Sequence, residues 1–213
     1  MVTYIFGYGS LIDRDSRTRT NPAAVAARPV IVEGIQRGWW VHGAPIGFST
    51  CFLSAKEQAD AICNGVLYPV TPAELEALDK RESIYTRTRI ESDKIRLLDG
   101  MNSLEDGAKV WFYAQDSELQ LPDATFPIVQ SYVDICLNGC LEIEALYPLA
   151  KEANFAELFI KSTADWSHYW VNDRLYPRRP FIYVPKAFQI DTLLYNLIPE
   201  QFNFIQLQPA HWD

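Results

Sequence analysis

The chain has 213 residues, of which 48% are hydrophobic and 22% charged, a composition typical of a globular protein with a sizeable buried core. Its formal net charge of −8 at pH 7 argues against non-specific binding to nucleic acids or to anionic membrane surfaces. The first residues lack the features of a secretory signal and no apolar run is long enough to cross a membrane, so we expect a cytoplasmic protein without a membrane partner.

The first predicted element is a strand that runs into a glycine-rich loop. Thr3 to Phe6 are β-branched or aromatic, and Gly7-Tyr8-Gly9-Ser10-Leu11 follows. Residue 12 is Ile12, so the loop lacks both the third glycine of a dinucleotide-binding fingerprint and the last glycine of a nucleophile elbow. Two interpretations stay open: a tight turn without a ligand, or a loop whose N–H groups point together at an anion or a developing oxyanion.

Further strands are predicted on both sides of a single helix, from their apolar, β-branched and alternating residues. The candidates are Arg28 to Val41 with a turn near Glu33-Gly34, Thr50 to Ser54, Cys63 to Val70, Tyr85 to Leu98, and Ala108 to Ala114.

The helix between these strands ends on a carboxylate. Its start is signalled by an N-cap, a first-turn proline and a capping-box glutamate: Thr71, Pro72 and Glu74. Leu75, Leu78 and Glu82 follow at i, i+3 and i+7 and share one face. If the leucines face the core, Glu82 points inward, which is costly unless the carboxylate is paired or useful. The alternative is a helix that ends near Lys80 and leaves Glu82 solvated.

The second half of the chain has a different character. Pro127 to Leu141 and Ala145 to Ser162 read as helices, the first ending near Asn138-Gly139. We therefore predict an α+β domain over residues 1–164 and an extension over 165–213 that packs on it. The extension is dense in aromatic residues, among them Trp166, Tyr169, Trp170, Tyr176, Phe181 and Tyr183. Packing onto the domain, a homodimer contact and a lid over a pocket are the interpretations that we consider for these aromatics.

The cysteines and histidines do not predict a metal site. Cys136 and Cys140 lie one helical turn apart, but no histidine is near them in sequence, and the other two cysteines are isolated. The histidines, at positions 42, 168 and 211, show no ligand or triad spacing. We expect no metal and no organic cofactor. The cysteines are interpreted as core or neutral thiols in a reducing compartment, and a redox or metal role for them is the alternative.

Taken together, the loop and the helix resemble the γ-glutamylcyclotransferase-like superfamily. The start Phe6 to Leu11 is similar to its Tyr-Gly-Ser-(Asn/Leu) signature, and Ala27 to Gly34 looks like its second strand. Its Thr-Pro-x-Glu-Leu helix, ending in Leu-Asp-x-x-Glu before Tyr-x-Arg, matches Thr71 to Leu75, Leu78 to Glu82 and Tyr85 to Arg87. The resemblance spans roughly residues 4–113 and implies a small closed mixed β-barrel with packed helices.

The resemblance also implies an activity, the release of 5-oxoproline from a small γ-glutamyl compound by intramolecular aminolysis. The family's catalytic glutamate falls on Glu82, and its substrate loop falls on Tyr8, Gly9, Ser10 and Leu11. Tyr85 or Arg87 would anchor the substrate's α-carboxylate. This chain departs from the family at Ser83, where glycine is usual, and at Asp13, where the glutathione-specific branch has an aromatic residue.

Two other classes of function remain open from the sequence. One is a non-catalytic member of the same fold that binds a small amine or amino acid, although such a protein need not retain the glutamate. The other is an interaction protein that uses the aromatic C-terminal extension.

Overall fold

The computed structural model describes residues 2–43, 49–82, 85–178 and 186–207 of a mixed α+β protein. The strands are β1 Thr3–Gly7, β2 Arg28–Gly43, β3 Thr50–Val70, β4 Thr86–Ile90, β5 Ile95–Leu97, β6 Lys109–Ala114, β7 Ile128–Val129, β8 Thr163–Ala164, β9 Trp170–Asn172 and β10 Gln206–Leu207. The helices are α1 Arg14–Thr20, α2 Pro72–Arg81, α3 Gln130–Leu146, α4 Pro148–Glu152, α5 Phe155–Lys161, α6 Ala187–Leu197 and α7 Pro199–Phe202. Within these segments, no helix is both long and apolar enough to span a bilayer.

The main sheet has the strand order β4-β6-β1-β3-β2-β5, with β8 paired to part of β2. β1 lies at its centre, antiparallel to β3 and parallel to β6. Every neighbouring pair on this path except β1 and β6 is antiparallel. A second sheet of short parallel strands, β10-β9-β7, connects the C-terminal extension to the segment before α3.

The main sheet curls but does not close. β4 and β5 lie at its two edges, yet only four residues, 91–94, separate Ile90 from Ile95. A flat sheet would hold its edge strands roughly 24 Å apart, whereas the five Cα-to-Cα steps from Ile90 to Ile95 span at most about 18 Å, so the sheet must bend round. A 3-10 turn at Ser92–Lys94 redirects the chain, β5 has only 3 residues, and within the described segments β4 and β5 share no ladder. The predicted closed barrel is therefore wrong: the sheet is an open half-barrel.

Two hydrophobic cores lie on the two faces of this sheet, because successive strand side chains point to opposite faces. The inner core consists of strand residues such as Phe6, Val32 and Phe112. The outer core lies between the sheet and the helices and includes Trp39, Leu53, Leu137 and Phe159. The helices thus cover one face, and the curl of the sheet encloses the other.

Several boundaries differ from the sequence prediction. Thr50 to Ser54 and Cys63 to Val70 belong to one strand, β3, whose polar middle at residues 57–60 is exposed. The predicted helix over 145–162 is two helices, α4 and α5, separated near Asn154, which has a left-handed φ of 50°. The turn predicted near Glu33-Gly34 is a bulge inside β2, with Gly34 at φ +81°.

The extension contacts the domain through aromatic rings. The ring of Trp166 lies 5.2 Å from that of Trp39 and 5.2 Å from that of Trp170, and Trp170 is 1% exposed. Phe181 and Tyr183, two of the aromatics singled out in the sequence, lie outside the described residues.

Candidate active site

The loop that follows β1 presents backbone donors. Gly9 precedes a short 3-10 turn, Ser10–Ile12, in which the N–H of Ile12 donates to the carbonyl of Gly9 at 3.0 Å. In the stretches that the structure describes, the N–H groups of Gly9, Ser10 and Leu11 have no hydrogen-bond acceptor. Donors left over at the start of a helical turn suit an anion or an oxyanion.

A buried arginine holds the same loop from behind. Arg37 of β2 is 0% exposed, and its Nη1 donates to the carbonyl of Tyr8 at 2.9 Å and to that of Asn64 at 2.8 Å. Its other nitrogens donate to the Oδ1 of Asn64, the carbonyl of Phe159 and the hydroxyls of Ser162 and Thr163. One guanidinium therefore links the loop to β3, α5 and β8.

The front of the loop contacts β6 and α3. The hydroxyl of Tyr8 donates to the carbonyl of Tyr113 at 2.9 Å. A Cβ built on Gly9 would lie 3.1 Å from the hydroxyl of Tyr132 and 3.8 Å from Leu53. The hydroxyl of the α3 tyrosine therefore lies so close to the backbone of residue 9 that a larger residue would need it to shift.

Residue 13, which is aromatic in the glutathione-specific branch of the family, is here an aspartate at the start of α1. Asp13 is 1% exposed and caps α1, accepting from the N–H of Ser16 at 2.7 Å and from Nδ2 of Asn138 at 3.0 Å. Gly139 of α3 lies directly against it, since a Cβ there would be 2.4 Å from the backbone nitrogen of Asp13. The departure at residue 13 thus serves the packing of the loop against α3.

Glu82 lies at the C-terminal end of α2. The predicted capping box is confirmed, and the helix ends at Arg81 with Glu82 as its C-cap. The N–H of Glu82 donates to the carbonyl of Leu78 at 2.8 Å, and its carbonyl accepts from Tyr85 at 2.9 Å. The helix thus ends close to Lys80, as the alternative expected, but Glu82 is half-buried rather than fully solvated, and Leu78 on the same face is buried.

The negative charge of Glu82 acts on the tyrosines of the loop and of the following segment. Burial, with a further contribution from the negative charge of Glu82, raises the pKa of Tyr85 to about 12. Burial also raises the pKa of Tyr8 well above its usual value, and Tyr85, Tyr132 and Glu82 add to the shift. Both phenols therefore stay protonated at neutral pH and can act as hydrogen-bond donors.

Asp79, one turn before Glu82, ties α2 to the sheet. Its Oδ1 accepts from the hydroxyl of Tyr113 at 2.9 Å, and its Oδ2 accepts from Nη1 of Arg87 at 2.6 Å. The guanidinium of Arg87 also lies 4.9 Å from the ring centre of Trp111. Since Tyr113 also accepts from Tyr8, one hydrogen-bonded chain runs from the loop through β6 to the helix that carries Glu82.

The structure brings some of the predicted site residues together. Glu82, Tyr8 and Tyr85 share one electrostatic neighbourhood, and Gly9, Ser10 and Leu11 follow Tyr8 directly. Arg87 is paired with Asp79. Ser83 lies outside the described residues.

Sequence reasoning missed three residues that shape this region: Arg37, Asp79 and Tyr132. Arg37 is spaced by two residues from both Ile35 and Trp39, so a charge on the same strand face as these apolar residues was a detectable signal. The i, i+3 spacing from Glu82 was a signal for Asp79. Nothing in the sequence indicates that Tyr132 lies near Gly9. Among the described residues, no cluster of three His, Cys, Asp or Glu side chains could hold a metal ion.

The sequence profile of the family described as "Gamma-glutamyl cyclotransferase, AIG2-like" matches residues 5–128. A solved structure named "Gamma-glutamyl cyclotransferase" is similar, with 13% identity, a TM-score of 0.51, and coverage of 67% of this chain and 80% of that one. The uncharacterized protein loc79017 from Homo sapiens is also similar, with 13% identity, a TM-score of 0.50, and coverage of 72% and 86%.

At these identities the two structures show a shared fold alone. No curated protein matches the sequence. The family match covers more than half of the chain, including the loop and the α2 helix. This chain therefore belongs to the γ-glutamyl cyclotransferase, AIG2-like family.

Proposed function

We propose that this protein is a γ-glutamylcyclotransferase that releases 5-oxoproline from a γ-glutamyl amino acid, peptide or amine. The observation that carries the proposal is the half-buried carboxylate of Glu82, whose negative charge acts on Tyr8. Tyr8 directly precedes Gly9, Ser10 and Leu11, whose N–H groups have no acceptor among the described residues. A proton carrier beside a set of oxyanion donors is what an intramolecular acyl transfer requires. Family membership supports the same reaction class.

In the proposed reaction, the α-amino nitrogen of the substrate attacks its own γ-carbonyl carbon. A C–N bond forms, the carbonyl electron pair moves to oxygen, and a five-membered lactam closes. The tetrahedral intermediate then breaks its bond to the departing nitrogen. Folding the substrate into this geometry supplies much of the acceleration, since well-oriented intramolecular reactions reach very large effective molarities.

Glu82 moves one proton in this scheme. The carboxylate takes it from the α-ammonium, which makes the amine nucleophilic, and then gives it to the departing nitrogen. The attacking nitrogen releases its second proton to solvent as the lactam N–H forms, and the expelled amine takes up a proton from solvent. A carboxyl group near both nitrogens can serve as base and then as acid without a cofactor. Its half-buried position beside Leu78 and Tyr85 provides the reduced solvation that favours such proton transfer.

The substrate loop and the tyrosines take the binding roles. The N–H groups of Gly9, Ser10 and Leu11 would hold the γ-carbonyl oxygen as it becomes an oxyanion. Tyr85, a protonated donor beside Glu82, is our candidate anchor for the α-carboxylate. Arg87 would share its guanidinium between Asp79 and that carboxylate, because Asp79 already accepts from its Nη1.

The test is a panel of γ-glutamyl amino acids, glutathione and γ-glutamyl amines, with 5-oxoproline measured for wild type and for Glu82→Gln. We expect wild type to act on at least one compound and Glu82→Gln to lose at least a hundredfold in kcat, because the amide cannot carry the proton. Circular dichroism and the thermal midpoint should stay unchanged.

The matched control is Glu76→Gln, an exposed carboxylate on the same helix, which should retain full activity. Wild-type turnover in Glu82→Gln would remove Glu82 from the chemistry. Silence of folded wild-type protein across the panel would favour a non-catalytic member of the fold that binds a small ligand. The cytoplasmic location and a homodimer contact through the extension, where Leu175 and Tyr176 are exposed, remain predictions.

A further inference from the structure

Arg37 is a buried cation without an anionic partner in the described part of the chain. All six oxygens that accept from it are carbonyl, amide or hydroxyl oxygens, although the side chain is 0% exposed. Its guanidinium carbon also lies 3.7 Å from the ring centre of Phe159. Buried charges are normally paired, because their desolvation is costly. Because only neutral groups accept from it in the described part of the chain, no adjacent negative charge offsets the guanidinium, and its positive charge polarises the groups that it contacts.

The peptide unit that Arg37 contacts is part of the candidate oxyanion site. Nη1 donates to the carbonyl of Tyr8 at 2.9 Å, and that carbonyl belongs to the same peptide plane as the N–H of Gly9. The described residues contain no cis peptide, so this C=O and N–H point in opposite directions. The N–H of Gly9 therefore faces away from Arg37, and it has no acceptor among the described residues.

We infer that Arg37 is a positioning residue for the reaction, which strengthens the N–H of Gly9 as an oxyanion donor by polarising the Tyr8–Gly9 peptide. A charge-assisted hydrogen bond to a carbonyl withdraws electron density from the peptide, and hydrogen bonds in series reinforce one another. The effect grows as the substrate's carbonyl oxygen becomes negative, so it acts on the transition state more than on substrate binding. The inference rests on the proposed cyclotransferase function.

A second contribution follows from geometry. The Arg37 fork also fixes the Tyr8 carbonyl relative to Asn64 and Phe159, so the N–H of Gly9 is held in place before substrate arrives. Preorganised donors avoid reorganisation during the reaction, which is why they stabilise a transition state more than water does. The experiment must therefore separate the charge of Arg37 from its role as a structural tie.

Arg37→Lys and Arg37→Met make this separation. Both replacements lose the planar fork and its multiple hydrogen bonds, but only the lysine keeps a positive charge near the Tyr8 carbonyl. We expect Arg37→Met to lose about ten- to a hundredfold in kcat with KM nearly unchanged, somewhat less than removal of a whole oxyanion donor. Arg37→Lys should stay within about fivefold of wild type. Equal kcat values in the two variants would overturn the inference.

A pH profile keeps the test decisive if Arg37→Met does not fold. A buried ammonium has a lowered pKa and loses its proton within the working pH range, whereas a guanidinium does not. In Arg37→Lys, kcat should therefore fall on the alkaline side with an ionisation that wild type lacks, while circular dichroism stays constant. If NMR detects deprotonation of the ammonium and kcat does not fall with it, the inference is wrong.

Thr163→Val is the matched structural control, because it removes the acceptor for Nε of Arg37 and leaves the charge in place. It should lower the thermal midpoint with little change in kcat. A loss of kcat as large as that of Arg37→Met would assign Arg37 a purely structural role. A wild-type enzyme that forms no 5-oxoproline would overturn the proposed function together with this inference, whereas an active wild type with equal variants would overturn the inference alone.

Discussion

Asp79 connects three elements that border the candidate site. It accepts from Tyr113 of β6 and from Arg87 of β4, while its own backbone belongs to α2. Its side chain is 38% exposed, so solvent weakens the ion pair and the geometry matters more than the charge. These two contacts tie the end of α2, one turn before Glu82, to β4 and β6.

We expect Asp79→Ala to lower the free energy of unfolding by about 1–2 kcal/mol, because one hydroxyl and one guanidinium lose their acceptor. Tyr113→Phe should cost about 1 kcal/mol, and the double variant less than the sum of the two by about 0.5 kcal/mol. Urea unfolding at pH 7 measures the three values. Strict additivity would show that the Tyr113–Asp79 hydrogen bond does not contribute to stability.

At the scale of elements, α3 supports the substrate loop from one side. The helix passes through Gly139 without a break, although glycine normally weakens a helix by about 1 kcal/mol relative to alanine. The sequence prediction that the helix ends near Asn138-Gly139 was therefore wrong. Glycine is required here because the backbone of Asp13 leaves no room for a Cβ.

Gly139→Ala tests this packing. Propensity alone would stabilise the helix by about 1 kcal/mol, but the methyl group would push against the backbone nitrogen of Asp13. Because a backbone atom cannot move aside as a flexible side chain can, we expect a net loss of about 1–3 kcal/mol and reduced activity through the loop. Leu146→Ala, at a 71% exposed position of α3, should change stability by less than about 0.5 kcal/mol. A rise in the thermal midpoint of Gly139→Ala would contradict the close approach.

At the scale of the whole molecule, Arg174 joins the extension to the domain. Its Nε and Nη2 donate to the two oxygens of Asp134, whose side chain is 0% exposed, and its Nη1 and Nη2 donate to Asp191 of α6. Burial raises the pKa of Asp134, and the charge of Arg174 opposes that rise. The carboxyl pKa is thus higher in the folded protein than in the unfolded chain.

The sign of the pH dependence follows from this shift. With a raised folded pKa, the folded protein binds the proton more tightly, so the Asp134 contribution to stability falls as pH rises from about 4 through the folded pKa. Arg174→Ala removes the opposing cation and raises the folded pKa further. The variant should therefore be only slightly destabilised at pH 4 and destabilised by about 3–5 kcal/mol at pH 7.

Urea unfolding of wild type and Arg174→Ala between pH 4 and pH 7 measures this difference. Lys161→Ala, which breaks an exposed pair with Glu157, is the control and should show a difference below about 0.5 kcal/mol across the range. A destabilisation by Arg174→Ala that does not change with pH would show that the buried carboxyl is not its cause.

Much of the fold could be predicted from neighbouring residues. The β1 strand, the capped start of α2 and the β6 strand follow local rules of alternation, capping and turns, and the structure confirms them. β3 was divided in two because the exposed polar residues 57–60 look like a loop, although β2 continues to pair with the chain up to Glu57 and again from Ile62. Its continuity depends on that partner strand rather than on its own sequence.

The candidate site was predictable only in part. Tyr8 to Leu11 and Glu82 stand in short motifs with a chemical reason behind each residue, whereas Arg37 acts on Tyr8 from 29 positions away and on Thr163 from 126 positions away. No local pattern encodes such contacts, because they form only when the sheet curls and α5 packs against it.

The sequence by itself determined the family, the loop after β1, and the carboxylate at the end of α2, because each of these is carried by residues close together in the chain. Only the tertiary structure decided that the sheet stays open between β4 and β5, that α3 runs past Gly139, and that the buried Arg37 lies behind the loop. Those features depend on distances between separate elements, and such distances are set by packing and by hydrogen bonds that buried groups must find.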